Sequence, residues 1–155
     1  MNKRRHGREI VLQIMYGYEL NTPPKHLKDE EQQAWLNRHI DSVTELNKVT
    51  KDNPVYSYIK DIAVTTISKL ETINQIISNY LDNWKIDDLT VIDKNILRLS
   101  VCEMLFHELP PAVSINEAVI LAKKFGGEQS GRFINGVLDK ISKRKEELLA
   151  DINYV

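Results

Sequence analysis

The sequence predicts an all-α protein, and three observations carry that expectation. Apolar residues recur at three- and four-residue steps along almost the whole chain, without the sustained alternation a half-buried strand requires. The five prolines fall in three places (Pro23-Pro24, Pro54 and Pro110-Pro111), and Gly126-Gly127 supplies a fourth break, each where a helix can begin or end. Hydrophobic residues make up 42% and charged residues 28% of 155, a globular balance that suits one domain and excludes a disordered chain.

The first helix carries Ile10, Val11, Ile14, Met15 and Tyr18 as one apolar stripe and closes at Asn21-Thr-Pro-Pro. A second is expected from Asp29 to Val49, with Leu36, Ile40, Val43 and Leu46 inward. Asn53-Pro54 then starts a third, since Asn caps and Pro fits the first helical position. Its stripe is long: Ile59, Ile62, Ala63, Leu70, Ile73, Ile77, Tyr80, Leu81 and Trp84. Thr90-Val-Ile-Asp93 resembles a capping box with Asp in place of Glu or Gln. The helix behind it, with Ile92, Ile96, Leu97, Leu99, Val101, Met104, Leu105 and Phe106, is apolar on nearly every side and belongs mid-bundle. Ser114-Ile-Asn-Glu117 reads as a further capping box, and Gly126-Gly127 stops the helix it opens. Phe133, Ile134, Val137, Leu138 and Ile141 mark the last helix, extended by the charged tail to about Leu149. The stretch Asn83 to Leu89 is the candidate joint between two helical subdomains.

No apolar run is long enough to span a bilayer, and no secretory leader opens the chain, so a cytoplasmic location is expected. The single cysteine, Cys102, excludes an internal disulfide and lies in the most apolar helix, where an inert packed thiol is expected. His6, His26, His39 and His107 show no metal-ligand spacing, so no metal and no cofactor are expected. The glycine-bounded segment Gly126 to Gly131 lacks a Walker lysine and a preceding strand, which argues against a nucleotide-binding loop. It reads as a turn, or as exposed amides and Ser130 meeting an RNA phosphate at a helix start. Asp87 and Asp88 read as a solvated helix approach or a contact for a basic partner, and an enzyme is not expected.

The net charge of −1 hides a segregated distribution. Lys3, Arg4, Arg5 and Arg8 crowd the start, and Lys123, Lys124, Arg132, Lys140, Lys143, Arg144 and Lys145 form a second basic block. Charge alone leaves the first group open between a fraying solvated terminus and a phosphate-binding surface. The second group has aromatics beside it. Phe125 and Phe133 flank the glycines with Lys124 and Arg132 adjacent, the combination that grips single-stranded RNA, although either ring taken singly fits a core position.

Residues 114 to 140, Ser-Ile-Asn-Glu-Ala-Val-Ile-Leu-Ala-Lys-Lys-Phe-Gly-Gly-Glu-Gln-Ser-Gly-Arg-Phe-Ile-Asn-Gly-Val-Leu-Asp-Lys, closely resemble the signature of the NusB transcription antitermination factors. Ile92-Asp-Lys-Asn-Ile-Leu-Arg-Leu with Glu103-Met-Leu resembles that family's central helix, and Arg4-Arg-X-X-Arg-Glu-X-X-Leu-Gln-X-X-Tyr16 its opening helix. The stretch from Lys25 to Tyr58 matches little and looks longer than the family's usual form, so its role is open. The resemblance implies a compact bundle of about seven helices in two small subdomains, here about 1–82 and 83–155. It implies binding to boxA RNA together with NusE, a small-subunit ribosomal protein, within an RNA polymerase antitermination complex that serves rRNA operons. Lys3, Arg4, Arg5 and Arg8, and Lys124, Phe125, Gln129, Ser130, Arg132 and Phe133, are then expected to meet RNA. Asp93 is expected to meet a basic residue of NusE, with Asp87 and Asp88 on the same surface. Gln129 stands where the family often carries a charge.

Two other readings stand beside this one. The fold also resembles the RNA-recognition domain of certain rRNA cytosine methyltransferases, but that enzyme needs a following cofactor-binding domain and the chain stops at Val155. A helical scaffold binding only protein, with solvated charge patches, is the third. Whether the free chain forms a homodimer that masks its RNA surface is not readable from the residues.

Overall fold

The computed structural model describes residues 3–154, with side chains through Asn153. Among them are eight α-helices and one short 3-10 turn, and no strand. The chain divides into two compact units, the first running to Ile67 and the second starting at Ser68, so the division falls inside the expected third helix and not at Asn83 to Leu89.

The first unit holds α1 (Lys3–Leu20), α2 (Asp29–Leu46) and most of α3 (Pro54–Ser68). The expected stripe of α1 is buried at Ile10, Val11, Ile14 and Met15. Helix α2 packs on α1, with Leu36 and Ile40 buried. Its C-terminus departs from expectation. The helix stops at Leu46, which is 81% exposed, because Lys48 adopts a left-handed conformation (φ 59°). The Val49 amide then returns to the Thr44 carbonyl at 2.9 Å and the Lys48 amide to Glu45 at 2.9 Å, a Schellman closure that turns Val49 back into the core. His39 is structural: its Nε2 meets the Ile14 carbonyl at 2.9 Å and its ring stacks on Trp35.

The long third stripe is two helices, α3 and α4 (Leu70–Asn79), interrupted at Lys69. No proline or glycine causes the break. Val64, Thr65, Thr66, Ile67 and Ser68 are a run of weak helix formers, and the buried Thr66 hydroxyl donates to the Ile62 carbonyl at 2.7 Å, a back-bond that bends helices. Asn83, with φ 64°, ends the following turn, and Trp84 is 56% exposed, outside the core expected for it.

In the second unit, α5 (Val91–Phe106) packs against α4, α6 (Pro111–Phe125), α7 (Glu128–Ser142) and α8 (Lys145–Tyr154). It is buried continuously from Lys94 to Leu105, polar residues included. Those polar groups are partnered: the Arg98 guanidinium donates to Asn74 at 2.7 Å and to Asn95 at 3.1 Å, which ties α5 to α4. Helix α6 begins one turn before the expected capping box, with Pro111 at its first position. Ser114 caps nothing. It is buried inside the helix, donating to the Ser100 carbonyl at 3.0 Å with its hydroxyl 2.6 Å from that of Ser100. The last expected helix is also two, α7 and α8, parted at Lys143–Arg144.

Candidate nucleic-acid interface

The glycine-bounded segment is far shorter than expected. Only Gly126 and Gly127 lie between α6 and α7, and Glu128, Gln129, Ser130 and Gly131 are already helical. Gly127 makes this possible with φ 98°, a value costly for any residue with a Cβ. Gly126 is needed for space, since a Cβ there would sit 2.6 Å from the Ser130 hydroxyl. The tight turn puts Gln129, Ser130 and Phe133 on the opening turns of α7, next to Phe125 at the end of α6.

These residues line one cleft of about 470 Å³, completed by Thr90, Ile92 and Asp93 from the start of α5. Phe125 is 45% exposed and Phe133 half-buried, so neither is the plain core residue that either ring alone suggests. The Lys124 ammonium stands 5.3 Å from the centre of the Phe125 ring. At the back of the cleft the Ser130 hydroxyl donates to Asp93 Oδ1, and Asp93 is itself held by its amide donating to the Thr90 hydroxyl at 3.1 Å. The Thr90–Asp93 half of the expected capping box is therefore formed. An open, aromatic-walled cleft with a cation at its lip can stack a planar base and screen its phosphate.

Arg132 is separated from this cleft. It lines the neighbouring groove between α6 and α7, with Lys123, Glu128 and Asn116. Three further cations of the second basic block are engaged by carboxylates: Lys140 with Asp82 at 2.6 Å, Lys143 with Asp139 at 3.0 Å, Arg144 with Glu147 at 3.0 Å. Asp87 and Asp88 are exposed on the 3-10 turn Ile86–Asp88, where Asp88 accepts from the Lys85 amide at 3.1 Å. Asp93, expected alongside them, lies at the start of α5 and also lines the cleft of the RNA candidates.

In the first unit, α1 does begin early enough for Arg4 and Arg8 to share a face. Both guanidinium groups lie over the Tyr58 ring, at 5.1 Å and 5.7 Å. Lys3 and Arg4 are exposed and Arg5 half-buried, but Arg8 is only 4% exposed. Arg8 is thus a packed residue more than a solvent-facing cation. Tyr58, from the stretch whose role was open, carries no sequence signal for this contact. Thr90 and Ile92 are signalled only as cap and core. Among the described residues no cluster of His, Cys, Asp or Glu could hold a metal ion, and no helix is long and apolar enough to cross a membrane.

An all-helical chain with this cleft between helices has the form of a nucleic-acid-binding module, and the comparisons give it a family. The sequence model of the NusB family matches residues 5–143, so the chain belongs to the NusB family. It is 38% identical to the transcription antitermination protein NusB of Thermodesulfovibrio yellowstonii, over 92% of this chain and 93% of that protein. It is also 38% identical to NusB of Fervidobacterium nodosum, over 92% of both chains. A solved structure of the antitermination factors NusB and NusE in complex with double-stranded RNA superposes with a TM-score of 0.76 at 28% identity, covering 92% of this chain and 98% of that one. T. maritima NusB gives 0.75 at 28% identity, covering 97% and 98%.

Proposed function

We propose that this chain is a transcription antitermination factor that binds boxA-type single-stranded RNA together with NusE and so supports processive transcription of rRNA operons. The observation that carries this reading is the open cleft in which Phe125 and Phe133 flank the α6–α7 turn with Lys124 at its lip. It is supported by membership of a family whose named relatives are antitermination proteins, and by a neighbour solved with NusE and RNA. In this reading Lys3, Arg4, Arg5, Lys124 and Arg132 meet phosphates, Phe125 and Phe133 stack bases, and Gln129 and Ser130 supply hydrogen bonds. Arg8 orders Tyr58 beneath Arg4 instead of reaching solvent. The exposed Asp87 and Asp88, together with the half-buried Asp93 at the start of α5, face the basic ribosomal partner. The protein acts in the cytoplasm as a tether to the RNA polymerase complex, without catalysis.

Fluorescence anisotropy with a boxA RNA and a scrambled RNA, each with and without NusE, tests the reading. Tighter binding of boxA in the presence of NusE is expected. Equal affinity for both RNAs with NusE present would falsify it.

A further inference from the structure

We infer that the cleft between the end of α5 and α8 is a second protein-docking surface, one that takes a short amphipathic helix with a basic face. It stands apart from the surfaces of the proposed function. Phe106 and Asp93 lie near opposite ends of α5, about 20 Å apart along its axis at roughly 1.5 Å per residue. Helix α8 also lies past residues 5–143, the part of the chain that the family's sequence model matches.

The packing of α8 leaves room for a further element. Its 10 residues make a helix that is marginal in water by itself, so tertiary contacts must hold it. Yet no residue from Lys145 to Asn153 is fully buried, and Leu148, Leu149 and Ile152 are each only half-covered. Leu149 and Ile152, one helical step apart on the same face, line one wall of an open cleft of about 590 Å³. The half-buried Phe106 lines the other wall, together with Met104 and Leu105. A groove with aliphatic and aromatic walls between two helices is the form in which a third, amphipathic helix seats its apolar side chains.

The rim sets the sign of the partner. It carries Glu108 and Glu146, both exposed and neither with a protein partner among the described residues, against the ammonium of Lys145. Glu108 also sits where a carboxylate is least favoured. It follows the C-terminal end of α5, where the helix dipole is negative, and it holds a left-handed φ of 54° that suits glycine. The Leu109 amide, donating to the Glu103 carbonyl at 3.0 Å, closes that turn and fixes the carboxylate at the rim. A partner lysine or arginine there neutralises both the side chain and the negative helix end. The same charges repel a polyanion such as RNA.

The probe is a fluorescein-labelled peptide of about 14 residues, with Leu at i, i+3, i+4 and i+7 spacing and Lys elsewhere. The controls are the same pattern with Glu in place of Lys, and the Leu/Lys composition with its pattern scrambled. Anisotropy is measured on the full chain at about pH 8, so that ordinary imidazoles carry no charge. The patterned Leu/Lys peptide is expected to bind about tenfold tighter than either control and to shift the amide resonances of Phe106, His107, Leu149 and Ile152. Glu108→Gly combined with Glu146→Gln should weaken that binding by about fivefold, while boxA RNA affinity with NusE stays unchanged. Glycine suits the left-handed position, so the double variant is expected to melt no lower than the parent. Unchanged peptide affinity in the double variant, equal binding of the Glu peptide, or shifts confined to residues outside the cleft overturns the inference. Displacement of the peptide by saturating NusE also sinks it, because the cleft then belongs to the partner surface already proposed. So does a dimer of the chain alone that the double variant abolishes, because the occupant is then a second copy.

Discussion

The Tyr56 hydroxyl donates to Asp41 Oδ1 at 2.5 Å, and that hydrogen bond, aided by burial and by the carboxylate's charge, pushes the phenol up from 10.0 to about 12. Since the folded value lies above the unfolded one, the bond's stabilisation is complete below pH 10 and is lost as pH rises toward 12. Tyr56→Phe is therefore expected to melt lower than the parent at neutral pH, by an amount on the order of 1 kcal/mol. The gap should close between pH 10 and 12, and a constant gap in melting temperature across that window would contradict the assignment. This pair joins α2 to α3, so it anchors the stretch for which the sequence offers no role. Side-chain meetings of this kind, like Arg4 and Arg8 on Tyr58, depend on which helices pack together and leave no trace in local spacing. Arg8 shows the cost: its place in a basic run reads as solvent-facing, yet it is buried.

The helices themselves were legible because each buries an apolar face at helical spacing, and α1 and α5 follow it closely. Their ends were less so, because ends are set by backbone devices that compete with the stripe. Lys48 is the clearest case. A lysine in the left-handed region terminates α2, although glycine is the residue that takes this position without a steric penalty. Lys48→Gly is expected to stabilise the protein by roughly 0.5–1 kcal/mol, since relief of the left-handed strain exceeds the added unfolded-state entropy. Chemical denaturation checks it, and a loss of stability would show that the Schellman closure does not form. The α6 start was misplaced for a related reason: Ser114 to Glu117 has the spelling of a capping box, but Pro111 had already opened the helix and the Ser114 hydroxyl is used by Ser100. At the candidate cleft Phe125, Gln129, Ser130 and Phe133 stand in the family signature, whereas Thr90 and Ile92 carried no site signal, and the shortness of the Gly126-Gly127 turn that brings Phe125, Ser130 and Phe133 together was not readable.

A chain with a net charge of −1 binds a polyanion only if its charges are segregated, and here they are. Lys3, Arg4 and Arg5 gather on α1, whereas the tail cations of α7 and α8 are largely spent on local carboxylates. Exposed tail pairs of that sort contribute little to stability and weaken any electrostatic role for the tail. In the proposed function two different kinds of work fall to two places: phosphate neutralisation to the start of α1, and base stacking to the Phe125–Phe133 cleft. One measurement separates them and tests the RNA-binding claim itself, the affinity for boxA RNA with NusE present as a function of salt concentration. The unaltered chain should show a steep fall of log affinity with log salt. Replacing Lys3, Arg4 and Arg5 by Ala should flatten that slope by about 2, three single-strand phosphate contacts at roughly 0.7 each. Phe125→Ala, at a 45% exposed position, should leave the slope unchanged and lower the whole line about tenfold, the loss of roughly one stacked base. Lines for both variants that coincide with the parent would contradict the account.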